Sequence, residues 1–274
     1  MREGKSVKIM GVVNATPDSF SDGGQFLDPV AAAWHGLKLV EDGADIIDIG
    51  GESTRPGADD VPAAEEIART VPVIEGLKRE KSQAMISIDT RKPEVAKAAV
   101  SAGAEIWNDV TALTYAPDSL ETAAALSCDL VLMHAQGDPK TMQKDPSYDD
   151  VVEEVYAYLA RRIEACVRAG VSESRIIVDP GIGFGKTVTH NLLLLAHLSR
   201  FLALGRPVLL GASRKRFIGV LDRNAPASER LGGSLAAVLA GAHQGVSIFR
   251  VHDVAATRQA LTVAKAIENP HFSR

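Results

Sequence analysis

The chain has 274 residues, of which 46% are hydrophobic and 24% are charged. This composition is typical of a globular protein with a sizeable core and argues against disorder. The formal net charge of −5 argues against a general nucleic-acid-binding protein, although it allows a local cationic pocket for a phosphorylated ligand. The charge therefore favours small molecules as ligands, with no nucleic-acid partner.

Membrane and redox signals are weak in this sequence. No stretch reaches the roughly 18 apolar residues that a membrane-spanning helix needs, and Met1 to Lys8 lack the apolar run of a signal peptide. We therefore predict a cytosolic location and no membrane association. Cys128 and Cys166 have no spacing suited to zinc, so both are predicted to be reduced and buried.

Short runs rich in Val, Ile and Leu alternate along the chain with longer segments of helical periodicity. This alternation predicts parallel strands connected by helices. In chain order the predicted strands are Val7–Val13, Ile46–Ile49, Met85–Ile88, Glu105–Trp107, Leu130–Met133, Ile176–Val178, Val208–Leu210 and Ser247–Val251. The clearest predicted helices between and after them are Pro29–Glu41, Ala63–Arg79, Pro93–Ala102, Asp149–Ala169, Glu229–His243 and Val254–Glu268.

Eight pairs of strand and helix, with no break in composition, predict an α/β protein with a single domain over residues 1–274. The repeat favours a closed (β/α)8 barrel, the TIM barrel, over an open doubly wound sheet. Catalytic groups of such barrels gather at the carboxyl ends of the strands. Polar residues do lie at the ends of the predicted strands: Asn14, Asp48, Asp89, Asn108 with Asp109, His134, Asp179, Ser213 to Lys215, and Arg250 with His252. An active site is therefore predicted at this end of the barrel.

Three of these residues are suited to recognising a heterocycle. Asp89, Asn108 and Asp179 come from different strand ends and would face one another across the barrel mouth. Two carboxylate acceptors and an amide that both donates and accepts would match a ring with several N–H groups. The alternative is that these residues only cap helices.

Positive charge is predicted on the other side of the mouth. Lys215, Arg250 and His252 follow the seventh and eighth strands, where this fold often binds phosphate. Thr54 and Arg55, in the loop Gly50 to Gly57 beyond strand two, would reach the same space. The predicted ligand is therefore part heterocycle and part anion.

The glycine-rich segment Asp179 to Thr187 looks superficially like a phosphate-binding loop. Pro180 stands where the Walker pattern needs Gly, and Lys186 occupies the last Gly of the dinucleotide pattern, so both matches fail. We interpret its glycines as allowing the backbone to approach a flat ligand beside Asp179. The first loop, Asn14 to Gly24, is polar and carries Phe20, which is typical of a mobile lid or of an ordinary surface turn.

Eight separated segments, each at a predicted strand end, together resemble the dihydropteroate synthase family. They are Asn14 to Gly24, Gly50 to Gly57, Ser87 to Thr90, Asn108-Asp109, Met133-His134, Asp179 to Gly185, Ser213 to Lys215 and Arg250 to Asp253. The resemblance covers nearly the whole chain. It implies a TIM barrel, usually dimeric, that joins 6-hydroxymethyl-7,8-dihydropterin diphosphate to p-aminobenzoate in folate biosynthesis, with Mg²⁺ as cofactor and release of pyrophosphate.

The resemblance also assigns expected roles to individual residues. The pterin pocket falls on Asp89, Asn108, Asp179, Lys215 and Arg250, lined by Met133, Phe184 and Gly211. The diphosphate site falls on Asn14, Thr54, Arg55, Arg250 and His252, with Asn14 as the metal ligand. The p-aminobenzoate site falls on Phe20, Thr54, Arg55, Pro56 and Lys215. Asp89, Lys215 and Arg55 are the expected catalytic residues.

Two other hypotheses remain open from the sequence. A pterin-binding methyltransferase domain on the same barrel would share the Asp89, Asn108 and Asp179 pocket, but it would not need Ser53 to Pro56 or Ser213 to Lys215. A catalytically silent relative that only binds pterin or acts as a scaffold is the other, and the intact first and second loops argue against it.

Overall fold

The computed structural model describes residues 7–16, 28–53, 60–80, 82–137, 142 and 145–270. Its strands are β1 (Lys8–Asn14), β2 (Ile46–Gly50), β3 (Met85–Asp89), β4 (Ile106–Asp109), β5 (Asp129–Met133), β6 (Ile176–Asp179), β7 (Leu209–Leu210) and β8 (Ile248–Val251). The α-helices among these residues are α1 (Pro29–Glu41), α2 (Ala63–Arg79), α3 (Pro93–Ser101), α4 (Ser119–Ala125), α5 (Val151–Arg168), α6 (Val188–Ala196), α7 (Leu198–Phe201), α8 (Arg216–Leu221), α9 (Leu231–His243) and α10 (Val254–Glu268).

The strands form one parallel sheet in the order β6-β5-β4-β3-β2-β1-β8-β7. A parallel bridge between Val178 and Val208, beside a 3.0 Å hydrogen bond from the Val178 N–H to the Pro207 carbonyl, joins β6 to β7 and closes the ring. The predicted (β/α)8 barrel is confirmed. That the whole chain forms a single domain remains a prediction.

Local signals in the sequence fix where several helices begin. The Asp28 carboxylate accepts from the Val30 N–H at 2.8 Å, and Pro29 occupies the first helical turn of α1. The Asp150 carboxylate caps α5 in the same way. Since these caps satisfy N–H groups that have no partner within the helix, the βα loops enter their helices at fixed points.

The strands extend further than the predicted apolar runs. Asn14, Gly50, Asp89 and Asp179 were predicted to follow strands, but they are the last residues of β1, β2, β3 and β6. The prediction ended each strand where hydrophobicity ended, whereas the backbone ladder depends on hydrogen bonds that polar residues also make. These side chains are therefore held by the sheet itself.

The barrel interior is filled by two sets of side chains. The lower ring has one apolar residue from each strand: Met10, Ile46, Met85, Ile106, Val131, Ile177, Leu209 and Ile248. The residues two positions further along form the upper ring: Val12, Asp48, Ser87, Asn108, Met133, Asp179, Gly211 and Arg250. Because side chains two apart point to the same face of a strand, the upper ring lies above the lower ring, toward the carboxyl ends.

A separate apolar core lies between the barrel and the surrounding helices, with Trp107, Phe201 and Phe249 among its fully buried side chains. Cys128 and Cys166 belong to it and form no disulfide, as predicted. No helix in the described ranges is long and apolar enough to cross a bilayer.

Candidate active site

The centre of the barrel mouth is a buried network of opposite charges. The Arg250 guanidinium donates from Nε to Asp48 Oδ2 at 2.6 Å and from Nη2 to Asp89 Oδ2 at 2.7 Å. The Asn108 amide donates to the same Asp48 oxygen at 3.1 Å. The structure thus brings together Asp89, Asn108 and Arg250, three of the predicted pterin residues.

The charges in this network shift one another's protonation equilibria. Burial raises the pKa of Asp89 to about 7, against the lowering effect of Arg250 and with a further rise from Asp48. The two carboxylates in turn raise the pKa of Arg250, although its burial alone would lower it. The guanidinium therefore stays charged, while the Asp89 carboxyl is poised to bind or release a proton near neutral pH.

Lys215 lies beyond β7 and Asp179 at the end of β6, where they form a second wall of the mouth. The Lys215 ammonium donates to the Ile182 carbonyl and lies 4.5 Å from the centre of the Phe184 ring. Burial lowers the pKa of Lys215 to about 8, opposed by the nearby Asp179 carboxylate. This wall offers a flat apolar ring, a carboxylate and a cation, which suits a planar polar ligand.

The alternative that these residues only cap helices is not supported. Asp179 accepts from the Gly181 N–H at 2.7 Å, which stabilises the turn after β6. The bonds found for Asp89 and Asn108 run across the barrel to Arg250 and Asp48 instead. The N-cap positions of α3 and α6 are instead occupied by Lys92 and Thr187.

The interpretation of the glycine-rich segment is wrong for Gly181 and Gly185. Both have positive φ, and a Cβ on Gly181 would lie 1.9 Å from the His134 carbonyl oxygen. A Cβ on Gly185 would lie 2.4 Å from the Gln136 carbonyl oxygen. The close approach that requires glycine is thus to the protein's own backbone after β5, not to a ligand.

Lys186 of the same segment is buried rather than available to phosphate. Its ammonium lies 2.9 Å from His134 Nδ1 and donates to the Phe184 carbonyl at 3.0 Å. Burial lowers the pKa of Lys186 to about 7 and, together with the positive charge of Lys186, lowers that of His134 to about 3. The imidazole is therefore neutral and ties the β6 segment to the end of β5.

The other predicted pocket residues line the same mouth. Met133 is buried at the end of β5, and a Cβ on Gly211 would lie 3.8 to 3.9 Å from Arg250 and Asp179. His252 lies just beyond β8, with its Nδ1 3.1 Å from Ser213 Oγ and its N–H donating to the same oxygen. Asn14 ends β1, next to Gly50 in the register. Phe20, Thr54, Arg55 and Pro56 lie outside the described residues.

Sequence reasoning missed a buried ionic cluster at the base of the second loop. The Glu52 carboxylate accepts from Arg91 Nε at 3.2 Å and from the Val61 N–H at 2.9 Å, and lies 3.0 Å from Lys92 Nζ. Lys92 also pairs with the fully buried Glu66 at 2.6 Å. The signal was the charged pair Arg91-Lys92, which begins two residues after Asp89, but only the fold shows that this pair meets Glu52.

Comparisons with known proteins agree with this geometry. A family model described as "Pterin binding enzyme" matches residues 10–252. The Escherichia coli K12 protein "Dihydropteroate synthase" is 47% identical over 258 residues, covering 94% of this chain and 90% of that protein. The chain belongs to the dihydropteroate synthase family.

Solved structures of dihydropteroate synthase family members share the fold closely. Xanthomonas albilineans dihydropteroate synthase with 4-aminobenzoic acid is 51% identical, with a TM-score of 0.90, and the match covers 96% of this chain and 94% of that one. The same organism's enzyme in complex with 7,8-dihydropteroate is 48% identical with a TM-score of 0.87, at the same coverages. The resemblance stated from the sequence motifs is confirmed.

Proposed function

We propose that the chain condenses 6-hydroxymethyl-7,8-dihydropterin diphosphate with p-aminobenzoate to give 7,8-dihydropteroate and pyrophosphate. Family membership at 47% identity over most of the chain supports this reaction. The observation that carries it is the buried polar network at the barrel mouth, where Arg250 bonds to both Asp89 and Asp48 and Asn108 donates to Asp48, above an apolar lower ring. Neither a methyltransferase domain nor a silent relative is favoured by a separate observation.

The proposed residue roles follow from the two sides of the mouth. Asp89, Asn108 and Asp179 bind the pterin edge, with Lys215, Arg250, Met133, Phe184 and Gly211 completing the pocket. Arg250, His252 and Asn14, together with Thr54 and Arg55, bind the diphosphate. Phe20, Thr54, Arg55, Pro56 and Lys215 bind p-aminobenzoate.

The chemistry needs no protein nucleophile. The bond between the pterin methylene carbon and the diphosphate oxygen breaks, the diphosphate leaves with the electron pair, and the amine of p-aminobenzoate attacks the carbon and loses a proton. Asp89 and Asp179 stabilise the positive charge that develops on the pterin. Arg250 and His252 hold the leaving diphosphate, while Lys215 and Arg55 orient the acceptor.

Mg²⁺ is part of the proposal, and Asn14 is its proposed protein ligand. Among the described residues no cluster of three His, Cys, Asp or Glu side chains could hold a metal. One amide oxygen fits Mg²⁺ only if the ion arrives with the diphosphate, which is how Mg²⁺ commonly binds beside substrate phosphates. The ion would supply charge neutralisation on the leaving group. We expect Asn14→Ala to weaken diphosphate binding with Mg²⁺ far more than without it, measured by calorimetry.

We also propose a homodimer. Apolar side chains are exposed on α8, α9 and α10, including Leu221 (58%), Leu231 (38%) and Ile267 (74%). These helices are neighbours, since α9 packs against α10 and Gly233 of α9 meets Ile218 of α8. A second copy would remove this surface from water. Leu221→Glu should halve the mass measured by light scattering, whereas Val167→Glu on α5 should not. The cytosolic location remains a prediction.

The deciding experiment for the reaction is direct. Purified protein is mixed with the pterin diphosphate, p-aminobenzoate and Mg²⁺, and pyrophosphate release and dihydropteroate are measured together. Formation of both products supports the proposal. Pterin binding without turnover would favour the silent relative.

A further inference from the structure

Asp48 is a fully buried carboxylate of the upper ring that makes none of the proposed ligand contacts. It lies on β2, and its Oδ2 atom accepts both from Arg250 on β8 and from Asn108 on β4, at 2.6 and 3.1 Å. The side chain has 0% exposure, so no ligand in the mouth can reach it directly. Asp48 therefore acts through its neighbours.

A carboxylate at this depth is costly for the fold. In the lower ring, Ile46, two residues earlier on the same strand, shows that the barrel interior can be filled with apolar side chains. Burying a charge is unfavourable unless it is well paired, and replacing buried ion pairs by apolar residues is often neutral or stabilising. Stability alone thus gives a poor account of Asp48, which directs attention to what it holds.

We propose that Asp48 is a positioning residue for dihydropteroate synthesis: it fixes the Arg250 guanidinium and the Asn108 amide in single orientations from beneath the pterin pocket. This inference rests on the proposed function. By occupying Arg250 Nε, Asp48 sets the plane in which the guanidinium also reaches Asp89. By accepting from Asn108 Nδ2, it turns the amide oxygen away from itself. One oxygen of Asp48 therefore orients both Asn108, which is proposed to bind the pterin, and Arg250, which is proposed to bind the diphosphate as well.

The charge of Asp48 also affects the pKa of Asp89. The pKa of Asp89 is raised first by its burial, lowered by Arg250, and raised further by Asp48, Glu66 and Asp109. Lys215 also acts on the Asp89 carboxylate, and Asp179 acts on Arg250. Arg250 bonds to both carboxylates, so the negative charge of Asp48 offsets part of the effect by which Arg250 stabilises the ionised form of Asp89. Removing the Asp48 charge should therefore lower the pKa of Asp89.

Two variants separate geometry from charge. Asp48→Asn can still accept from Arg250 and Asn108 through its amide oxygen, but it carries no charge, whereas Asp48→Ala loses both bonds. The matched control is Ser87→Ala, because Ser87 is the register partner of Asp48 in the upper ring and its buried hydroxyl has no partner among the described residues. Circular dichroism melts establish that each variant is folded.

Binding of 6-hydroxymethyl-7,8-dihydropterin diphosphate is measured by calorimetry, and kcat and KM are measured across pH. We expect Asp48→Ala to raise the Kd about tenfold, because ligand binding must then also order the released Arg250 and Asn108 side chains. Asp48→Asn should change the Kd less and should move the limb of the pH profile that reports Asp89 to lower pH. Ser87→Ala should match the wild type in both.

Wild-type affinity and an unmoved pH profile in both Asp48 variants would overturn the inference, as would an equal loss in Ser87→Ala. If Asp48→Ala does not fold, Asp48→Asn alone decides through its pH profile. Absence of turnover in the wild type would instead refute the proposed function. In that case the binding comparison between the Asp48 variants and Ser87→Ala still tests the positioning role.

Discussion

The lower and upper rings occupy the same eight strands, two residues apart, yet their chemistry is opposite. In the lower ring Ile46, Ile106, Ile177 and Ile248 pack into an apolar floor. Directly above them on the same strands lie Asp48, Asn108, Asp179 and Arg250. The scaffold is common to both rings, so the difference comes from the side chains alone. Two residues along a strand thus separate apolar side chains that stabilise the fold from Asn108, Asp179 and Arg250, which carry the proposed reaction.

The largest effect is expected from Asp179→Asn in the upper ring. The Asp179 carboxylate faces Lys215 on the pocket wall, and burial raises its pKa while Lys215 opposes that rise. Loss of a preorganised charge at a reacting centre typically lowers kcat about 100- to 1,000-fold. The amide can still accept from the Gly181 N–H, so the melting temperature should change little. Initial rates and a thermal melt of one preparation check both statements.

Ile177→Ala, two residues earlier on β6, should lower the stability of the fold and leave kcat nearly unchanged. Its side chain is 7% exposed within the lower ring, and truncating a buried Ile to Ala costs about 2–5 kcal/mol of unfolding free energy. The kcat of the folded fraction should stay close to that of the wild type. Urea denaturation and active-site titration measure the two quantities. A fall in kcat like that of Asp179→Asn would contradict the division between the rings.

The pair of His134 and Lys186 sharpens the comparison, because it consists of polar groups near the mouth that serve stability. The pKa of His134 is lowered to about 3 in the folded chain, against about 6.5 when unfolded. Its contribution is therefore fully present above pH 6.5 and is lost as the pH falls toward 3, since only the unfolded chain binds the proton. The loss amounts to at most about 5 kcal/mol.

His134→Asn removes this titration. The gap in unfolding free energy between the wild type and this variant should narrow as the pH falls from 7 to 4 in urea melts. A constant gap over that range would show that the imidazole is not held neutral.

The smallest effect is expected from Ile248→Val. This change removes one methylene group from the lower ring directly below Arg250, and such changes cost about 0.5–1.5 kcal/mol. Activity should not change, because Arg250 keeps its bonds to Asp48 and Asp89. Chemical denaturation and steady-state kinetics test this, and an altered KM for the pterin substrate would mean that the floor sets the position of the upper ring.

Much of the fold and part of the site could be predicted from the sequence. Helices α1, α2 and α10 begin and end where predicted, because caps, proline and apolar periodicity are local signals. The residues at the strand ends were found for a similar reason, since polar residues after apolar runs stand out. The role of Gly181 was not found, because a glycine that packs against backbone has the same local sequence as one that faces a ligand. The role of Lys186 was not found either, because its partner His134 lies 52 positions away in the chain.

The sequence by itself therefore determined the order of strands and helices, the family, and which polar residues stand at the barrel mouth. Only the tertiary structure decided which of them meet: that Arg250 is shared by Asp48 and Asp89, that Lys186 pairs with His134, and that Glu52 is held by Arg91 and Lys92. Strand and helix signals are carried by neighbours in the chain. A hydrogen bond between residues 202 positions apart, as between Asp48 and Arg250, depends on β1 pairing with both β2 and β8.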